Sequence, residues 1–318
     1  MTISLIGGLS FSGGFTFTAE VSSGNTAAWF GGGYDPGGST VNRITFATDT
    51  ATASVRGPLS LSRPYLAATG NTTDGWFGGG GLYPIPDTYS RVDRITYATD
   101  TATASVRGPL SLARKQLAAA GNTTDGWFGG GYVRVNIAYS RVDRITYATD
   151  TTTASVRGPL SFDQFWSAAA GNTTDGWFGS GSGIYGIFSS VQRITYATDT
   201  ATASVRGPLS AARYSLAAAG NSDYGWFGGG GVNPGMGSTV QRITYATDTA
   251  TASVRGPLSQ GRYALAAAGN TTDGWFGGGN TGGSTVDRIT YATDTATASV
   301  RGPLSGDKVG SAAAGGVQ

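Results

Sequence analysis

The chain contains neither cysteine nor histidine in its 318 residues. Disulfides, thiolate nucleophiles, zinc–cysteine sites and imidazole catalysis are therefore excluded. Charge is sparse: 13% of residues are Asp, Glu, Lys or Arg, and the net charge is +2. That is too little for a polybasic nucleic-acid surface or an anionic-membrane anchor. Lysine occurs only at Lys115 and Lys308, and glutamate only at Glu20. No segment approaches the ~18 consecutive apolar residues of a membrane span. The start, Met-Thr-Ile-Ser-Leu-Ile-Gly-Gly, has no basic n-region and no long apolar run, so no signal peptide is expected. Nucleic acid and membrane are not expected as partners.

What is abundant is glycine, 53 residues, far above the usual share of roughly 7%. The glycines are not scattered. They recur beside Trp and Phe in a motif of which Gly-Trp-Phe-Gly-Gly-Gly is typical, with tryptophans at 29, 76, 127, 177, 226 and 275, spaced 47, 51, 50, 49 and 49 residues apart. Six near-identical units of about 50 residues, built from short strand-like pieces, predict the blades of a β-propeller.

Residues 66–116 serve as the type unit. Leu66 to Gly70 is a run of small apolar residues suited to a crowded central channel, and it ends in the turn Asn71-Thr72-Thr73-Asp74-Gly75. Trp76 to Gly80 forms a second strand, and a variable loop follows. Val92 to Tyr97 alternates apolar and polar residues, the period of a strand. Ala98 to Thr101 is a tight turn, and Ala102 to Val106 is the fourth strand, leaving through Arg107-Gly108-Pro109-Leu110-Ser111. Four antiparallel strands make one blade.

This unit resembles the kelch repeat over residues 25–315. The resemblance rests on the glycine cluster after an apolar strand, the aromatic before the turn (Tyr97), and an arginine shortly before the first strand (Arg63, Arg114, Arg213, Arg262). One position departs from it: kelch blades carry a tryptophan about seven residues after that tyrosine, where this chain has Ala53, Ala104 and Ala154. The tryptophan beside the glycines is expected to fill that inter-blade space. The dense, uniform repeat is also similar to kelch-like proteins of marine bacteriophages, including cyanophages. The expectation is an all-β, six-bladed kelch-like propeller at 25–318, preceded by an N-terminal arm with a strand at 1–24. Two segments compete to close the ring. Ser311 to Gly315 repeats the first-strand sequence after the sixth unit, and Phe15 to Val21 alternates just before the first.

Arg-Gly-Pro-Leu-Ser recurs in all six copies, and so does Arg-Ile-Thr-Tyr-Ala-Thr-Asp-Thr apart from Phe46. Variation is confined mainly to the loop between strands two and three, 6 to 11 residues long, and to the link from strand four to the next blade. Because strands alternate direction, both emerge on one face of the disc, and the invariant turns emerge on the other. Variation gathered on one face of a fixed scaffold is the pattern of a binding surface. That face is rich in aromatics. The candidate ligand-binding residues are Tyr34, Tyr83, Tyr89, Tyr132, Arg134, Tyr139, Phe162, Phe165, Trp166, Tyr185 and Phe188. Aromatic rings stack on sugars or anchor protein partners.

Catalysis is not expected. Copper-oxidase chemistry of the kind some kelch propellers perform needs absent residues, and no spacing asks for a carboxylate pair. The repeated Asp74 and Asp100 types are read as turn residues bonding backbone rather than metal ligands, and the repeated arginines, such as Arg94 and Arg107, as partners of Asp or backbone carbonyls within and between blades. No cofactor is expected. The leading expectation is a non-enzymatic attachment module of a virion, engaging a host-surface glycan or protein, with other virion proteins docked on the N-terminal arm or invariant face. The alternatives are a structural or decoration protein that self-assembles, and a glycan-cleaving enzyme.

Overall fold

Short Thr/Val/Ile-rich runs separated by Gly- and Asn-containing turns cannot form helices long enough to bury a stripe, but they pair readily as antiparallel strands. The computed structural model describes residues 26–34, 38–82, 87–134, 137–232 and 234–315. It is a six-bladed β-propeller. In blade two the strands are Leu66–Gly70, Asp74–Gly79, Val92–Thr96 and Ser105–Arg107, paired in that order and all antiparallel. Blades three to six repeat this arrangement, beginning at Ala118–Gly121, Ala168–Gly171, Ala217–Gly220 and Leu265–Gly269.

Blade one closes the ring. Its inner strand comes from the other end of the chain: Ala312–Ala314 pairs with Ala27–Gly31, in register Trp29 with Ala314 and Gly31 with Ala312. Of the two competing segments, the C-terminal one therefore supplies the strand. Phe15 to Val21 and the rest of the expected arm lie outside the described residues.

Two local expectations are corrected. The fourth strand is only three residues, Ser105–Arg107, because the segment before it turns outward as a 3-10 helix, Tyr97–Thr99. Asp100, which ends that helix, does not bond its own turn. Its carboxylate reaches across the blade boundary and accepts from Trp29 Nε1 at 2.8 Å and Arg43 Nη1 at 3.1 Å, with Arg56 Nε at 3.4 Å. The same node recurs at Asp150, Asp199, Asp248, Asp294 and Asp49. The turn bonds expected of aspartate come instead from asparagine: Asn71 Oδ1 accepts from the backbone N–H groups of Thr73 and Asp74.

Above each node the tryptophan stacks on an aromatic of the next blade, a tyrosine in five cases, as in Trp76 on Tyr147 with centroids 3.8 Å apart and planes 8° apart, and Phe46 against Trp275. The tryptophan beside the glycines thus fills the inter-blade space, as expected. The glycine after Phe makes room for the neighbour: a Cβ on Gly78 would sit 2.8 Å from the Phe128 ring. The invariant Arg-Gly-Pro has a similar cause, since a Cβ on Gly57 would lie 1.9 Å from the Ala102 carbonyl oxygen of the next blade. The hydrophobic core is correspondingly cut into units that straddle blades. Trp29, Val41 and Leu59 of one blade pack with Phe77, Ile95 and Ala104 of the next.

A second repeated polar device lies beneath the variable loops. Arg63, fully buried, donates from Nη1 to Asp93 at 2.7 Å, from Nε to the Gly79 carbonyl at 2.7 Å and from Nη2 to the Phe77 carbonyl at 2.9 Å. Arg114 with Asp143 and Arg262 with Asp287 form the same kind of buried pair. Burial pushes the Arg63 and Arg114 guanidinium pKa values down, and the adjacent aspartates act in the opposite direction.

Candidate functional site

The propeller axis is lined by the small inner strands, Ala-Ala-Ala-Gly in most blades. They leave a narrow channel of about 110 Å³ with Thr69 as its main polar side chain. On the variable face the axis is ringed by main chain, which leaves a space of only about 60 Å³. The residue two places after each buried Arg, Gln164 or Lys308 takes the left-handed conformation: Tyr65 (φ 61°), Gln116 (60°), Trp166 (57°), Ser215 (53°), Ala264 (58°) and Gly310 (68°). Such values are uncommon outside glycine and signal a constraint from the surroundings.

The constraint is a closed cycle of backbone hydrogen bonds. Gln116 N–H donates to the Tyr65 carbonyl, Trp166 to Gln116, Ser215 to Trp166, Ala264 to Ser215, Gly310 to Ala264, and Tyr65 to Gly310, all at 2.7 to 2.9 Å. Six donors and six acceptors satisfy one another around the axis. Each left-handed residue costs on the order of 1 kcal/mol when it is not glycine. Leaving six buried amide donors without partners would cost more.

The side chains on this cycle are the ones that vary. Tyr65, Gln116 and Trp166 make one bulky half, and Ser215, Ala264 and Gly310 make a small half. Tyr214 and Tyr263 stand beside the small half, and Tyr132 beside the bulky one. Together Tyr65, Gln116, Tyr132, Trp166, Tyr214, Ser215, Tyr263 and Ala264 enclose an axial cup of about 300 Å³. Around it runs an arc of aromatic contacts. The ring centroids of Tyr132 and Phe165 are 5.2 Å apart, Phe165 and Trp166 5.1 Å, Trp166 and Tyr214 5.3 Å, and Tyr214 and Tyr263 6.1 Å.

The structure brings some of the sequence-derived candidates together and separates others. Tyr132, Phe165 and Trp166 form the arc. Tyr34 meets the cup-lining Tyr65 edge-on, 5.6 Å between centroids. Phe162 and Phe188 form a separate pair, 5.5 Å apart. Tyr185 stands alone at the tip of the blade-four hairpin, 90% exposed. Tyr89 and Tyr139 are half-buried on the returning limbs of their loops, where their amides donate to the Gly80 and Gly131 carbonyls. The backbone of Arg134 pairs with Ile137, and Tyr83 lies outside the described residues. Tyr65, Tyr214 and Tyr263 are plain in the sequence as aromatics of the links. Gln116 is not, because only the closed ring shows that it faces the axis.

Among the described residues no charged side chain lines the cup. Lys115, beside Gln116 in sequence, is buried; its Nζ donates to the Leu82 carbonyl at 2.8 Å and lies 5.4 Å from the centroid of the Tyr132 ring. Burial lowers its pKa, with Asp87 acting weakly the other way. Two polar atoms of cup-lining residues are buried without a hydrogen-bond partner, Gln116 Oε1 and Trp166 Nε1.

The opposite face carries the turns and is nearly uniform. Its main departure is in blade five, where Tyr224 replaces the usual aspartate and takes the Arg242 guanidinium over its ring at 4.4 Å. Among the described residues no helix is long and apolar enough to cross a membrane.

No protein-family model and no curated protein matches the chain. The solved structure of YjhT matches with a TM-score of 0.68 and 11% identity, over 88% of this chain and 97% of that one. At that identity the likeness shows the propeller fold alone.

Proposed function

We propose that this protein is a non-enzymatic binding module that recognises a host-surface glycan or protein with its variable face, in the manner of an attachment protein on a virion. A β-propeller is commonly a binding scaffold. The observation that carries the reading is the axial cup, where the residues that differ among otherwise near-identical copies converge as an aromatic wall on a rigid main-chain floor. The virion setting rests on the sequence resemblance to bacteriophage kelch-like proteins. The test is binding of the purified protein to a glycan array and to candidate host cells, beside a Phe165→Ala/Trp166→Ala variant checked for folding. Binding that the variant loses supports attachment through this face. Absence of wild-type binding to any host surface removes the reading.

One observation favours a self-assembling role as the second reading. Val55, Val106, Val156, Val205, Val254 and Val300 sit at the middle of the six outer strands, 51% to 60% exposed. An apolar side chain repeated on six edges is a surface for lateral association. Sedimentation over a range of concentrations separates the two: a monomer throughout excludes assembly by this edge.

A further inference from the structure

We infer that the axial cup takes the terminal sugar of a neutral glycan, end-on, with Gln116 and Trp166 as its hydrogen-bonding pair. The inference rests on the attachment reading above and deepens it by naming the ligand class and the residues.

Three features point there. The walls are aromatic, with Trp166 and four tyrosines, and such surfaces accept the C–H faces of a pyranose. Among the described residues the lining has no charged side chain, so an ionised ligand group would be buried without a counter-charge from them. A hydroxylated neutral ligand carries no such penalty. Finally, Gln116 is 6% exposed and its Oε1 has no partner, and the adjacent indole Nε1–H of Trp166 has none either. Each such atom carries a desolvation cost that a hydrogen-bonding ligand relieves. One is an acceptor and one a donor, and a sugar hydroxyl serves both. Small rotations of the amide and the indole would bring them to a ligand and give each its first hydrogen bond.

The shape sets the mode of entry. The backbone cycle is a floor with its own amides already satisfied, and the axial space it encircles is only about 60 Å³, too small for a sugar ring. A glycan can therefore enter only by its end, and one ring fits between the bulky half and the small half. The small half leaves the room: Ser215, Ala264 and Gly310 stand where Tyr65, Gln116 and Trp166 stand opposite.

The experiment is a titration of the full chain with the methyl glycosides of glucose, galactose, mannose and N-acetylglucosamine, followed by ligand-observed NMR and calorimetry. N-acetylneuraminic acid is included as the charged probe. At least one neutral glycoside is expected to bind. Gln116→Met and Trp166→Phe are each expected to weaken it roughly tenfold, the effect of one lost hydrogen bond to a ligand. Ser215→Trp fills the small half and is expected to abolish binding. Its backbone is not at risk, since tryptophan already occupies the equivalent left-handed position at Trp166. Folding of every variant is checked by its thermal transition.

Failure of all four neutral glycosides to bind at tens of millimolar overturns the inference. So does binding that is indifferent to the three variants, or preference for N-acetylneuraminic acid. The attachment reading fails separately. If host-cell binding persists and depends on the outer loops while the cup takes no sugar, the inference falls and attachment stands. If glycosides bind the cup while no host surface is bound, the sugar site stands and attachment falls.

Discussion

Removing Arg114 alone is expected to destabilise the propeller far more than removing its partner, and removing both is expected to undo most of the damage. Arg114 and Asp143 are both fully buried and joined at 2.6 Å. Six copies of this position exist in the chain, and they differ. Arg63, Arg114 and Arg262 face Asp93, Asp143 and Asp287. Gln164 faces Gln192, whose Nε2 donates to Gln164 Oε1 at 2.9 Å. Arg213 occupies the position in blade five, where the residue at the aspartate position is Gln241, and its guanidinium turns to the Gly229 carbonyl at 3.0 Å. Lys308 and Asn42 stand at these positions in blade one. The combination missing from all six is a neutral residue opposite a carboxylate.

Arg114→Gln creates that combination. It takes away the one buried cation of the Asp143 carboxylate, leaving it the Ser111 hydroxyl and the half-exposed Arg141 at 3.7 Å, and removes the donors to the Gly130 and Phe128 carbonyls. Breaking a buried pair from one side costs about 3–5 kcal/mol. Asp143→Gln reproduces the blade-five arrangement and should cost about 1–2 kcal/mol, the difference between a charged and a neutral hydrogen bond. The double variant reproduces blade four and should also lie within about 2 kcal/mol of wild type. The assay is equilibrium unfolding in urea followed by tryptophan fluorescence, with melting temperature as a second readout. Arg114→Gln should melt lowest, and adding Asp143→Gln should raise the transition again. If the second substitution lowers stability further, the stranded carboxylate is not the cause and the reasoning is wrong.

Other expectations follow from the same contacts. Asp150→Ala should cost about 3–5 kcal/mol, because it leaves the buried Trp76 N–H unpaired and frees Arg94 and Arg107; a loss below about 1 kcal/mol in urea unfolding would remove the inter-blade node as a stabiliser. Burial pushes the phenol pKa values of Tyr147, Tyr196, Tyr245 and Tyr291 above their ordinary value. Their stabilising contribution is therefore complete below the unfolded-state value of about 10 and is lost as pH rises above it. Absorbance titration at alkaline pH should show these four ionising only together with unfolding; reversible ionisation in the folded state would contradict the burial argument. Deleting residues 308–318 removes the inner strand of blade one and the acceptor for the Tyr65 amide. It should lower the melting temperature by several degrees or drive the chains to associate, and an unchanged monomer with an unchanged transition would contradict ring closure by that strand.

The repeat made the blades legible. The six tryptophans fixed the register, the period-two run Val92 to Tyr97 fixed the third strand, and the alanine-glycine runs identified the strands along the axis. Recurring Arg and Asp signalled ion pairs. They did not say which aspartate served which arginine, because Asp100 is near neither Arg43 nor Arg56 in sequence and meets them only across a blade boundary. Ring closure was open for the same reason: pairing of Ala312–Ala314 with Ala27–Gly31 is set by the geometry of six blades. The cup was hidden more deeply. Nothing in Tyr65, Gln116 or Trp166 marks a left-handed residue, since the usual sign is glycine and only Gly310 carries it. The aromatics of the links were visible one by one. Their division into a bulky half and a small half needed the cycle that sets them side by side.

The place where the two ends of the chain meet has a genetic consequence. Because the junction lies inside blade one, the remaining five blades are continuous cassettes bounded by near-identical sequence. Unequal recombination between such cassettes adds or removes a whole blade and leaves both halves of the junction intact. The ends would still match in a gene with four or six cassettes, that is, five or seven blades. What would then fail is the circle of main-chain hydrogen bonds, whose six members meet at one fixed diameter. The floor of the cup would thus be what restricts copy number, while loop and link sequences could be exchanged between cassettes without breaking its main-chain bonds.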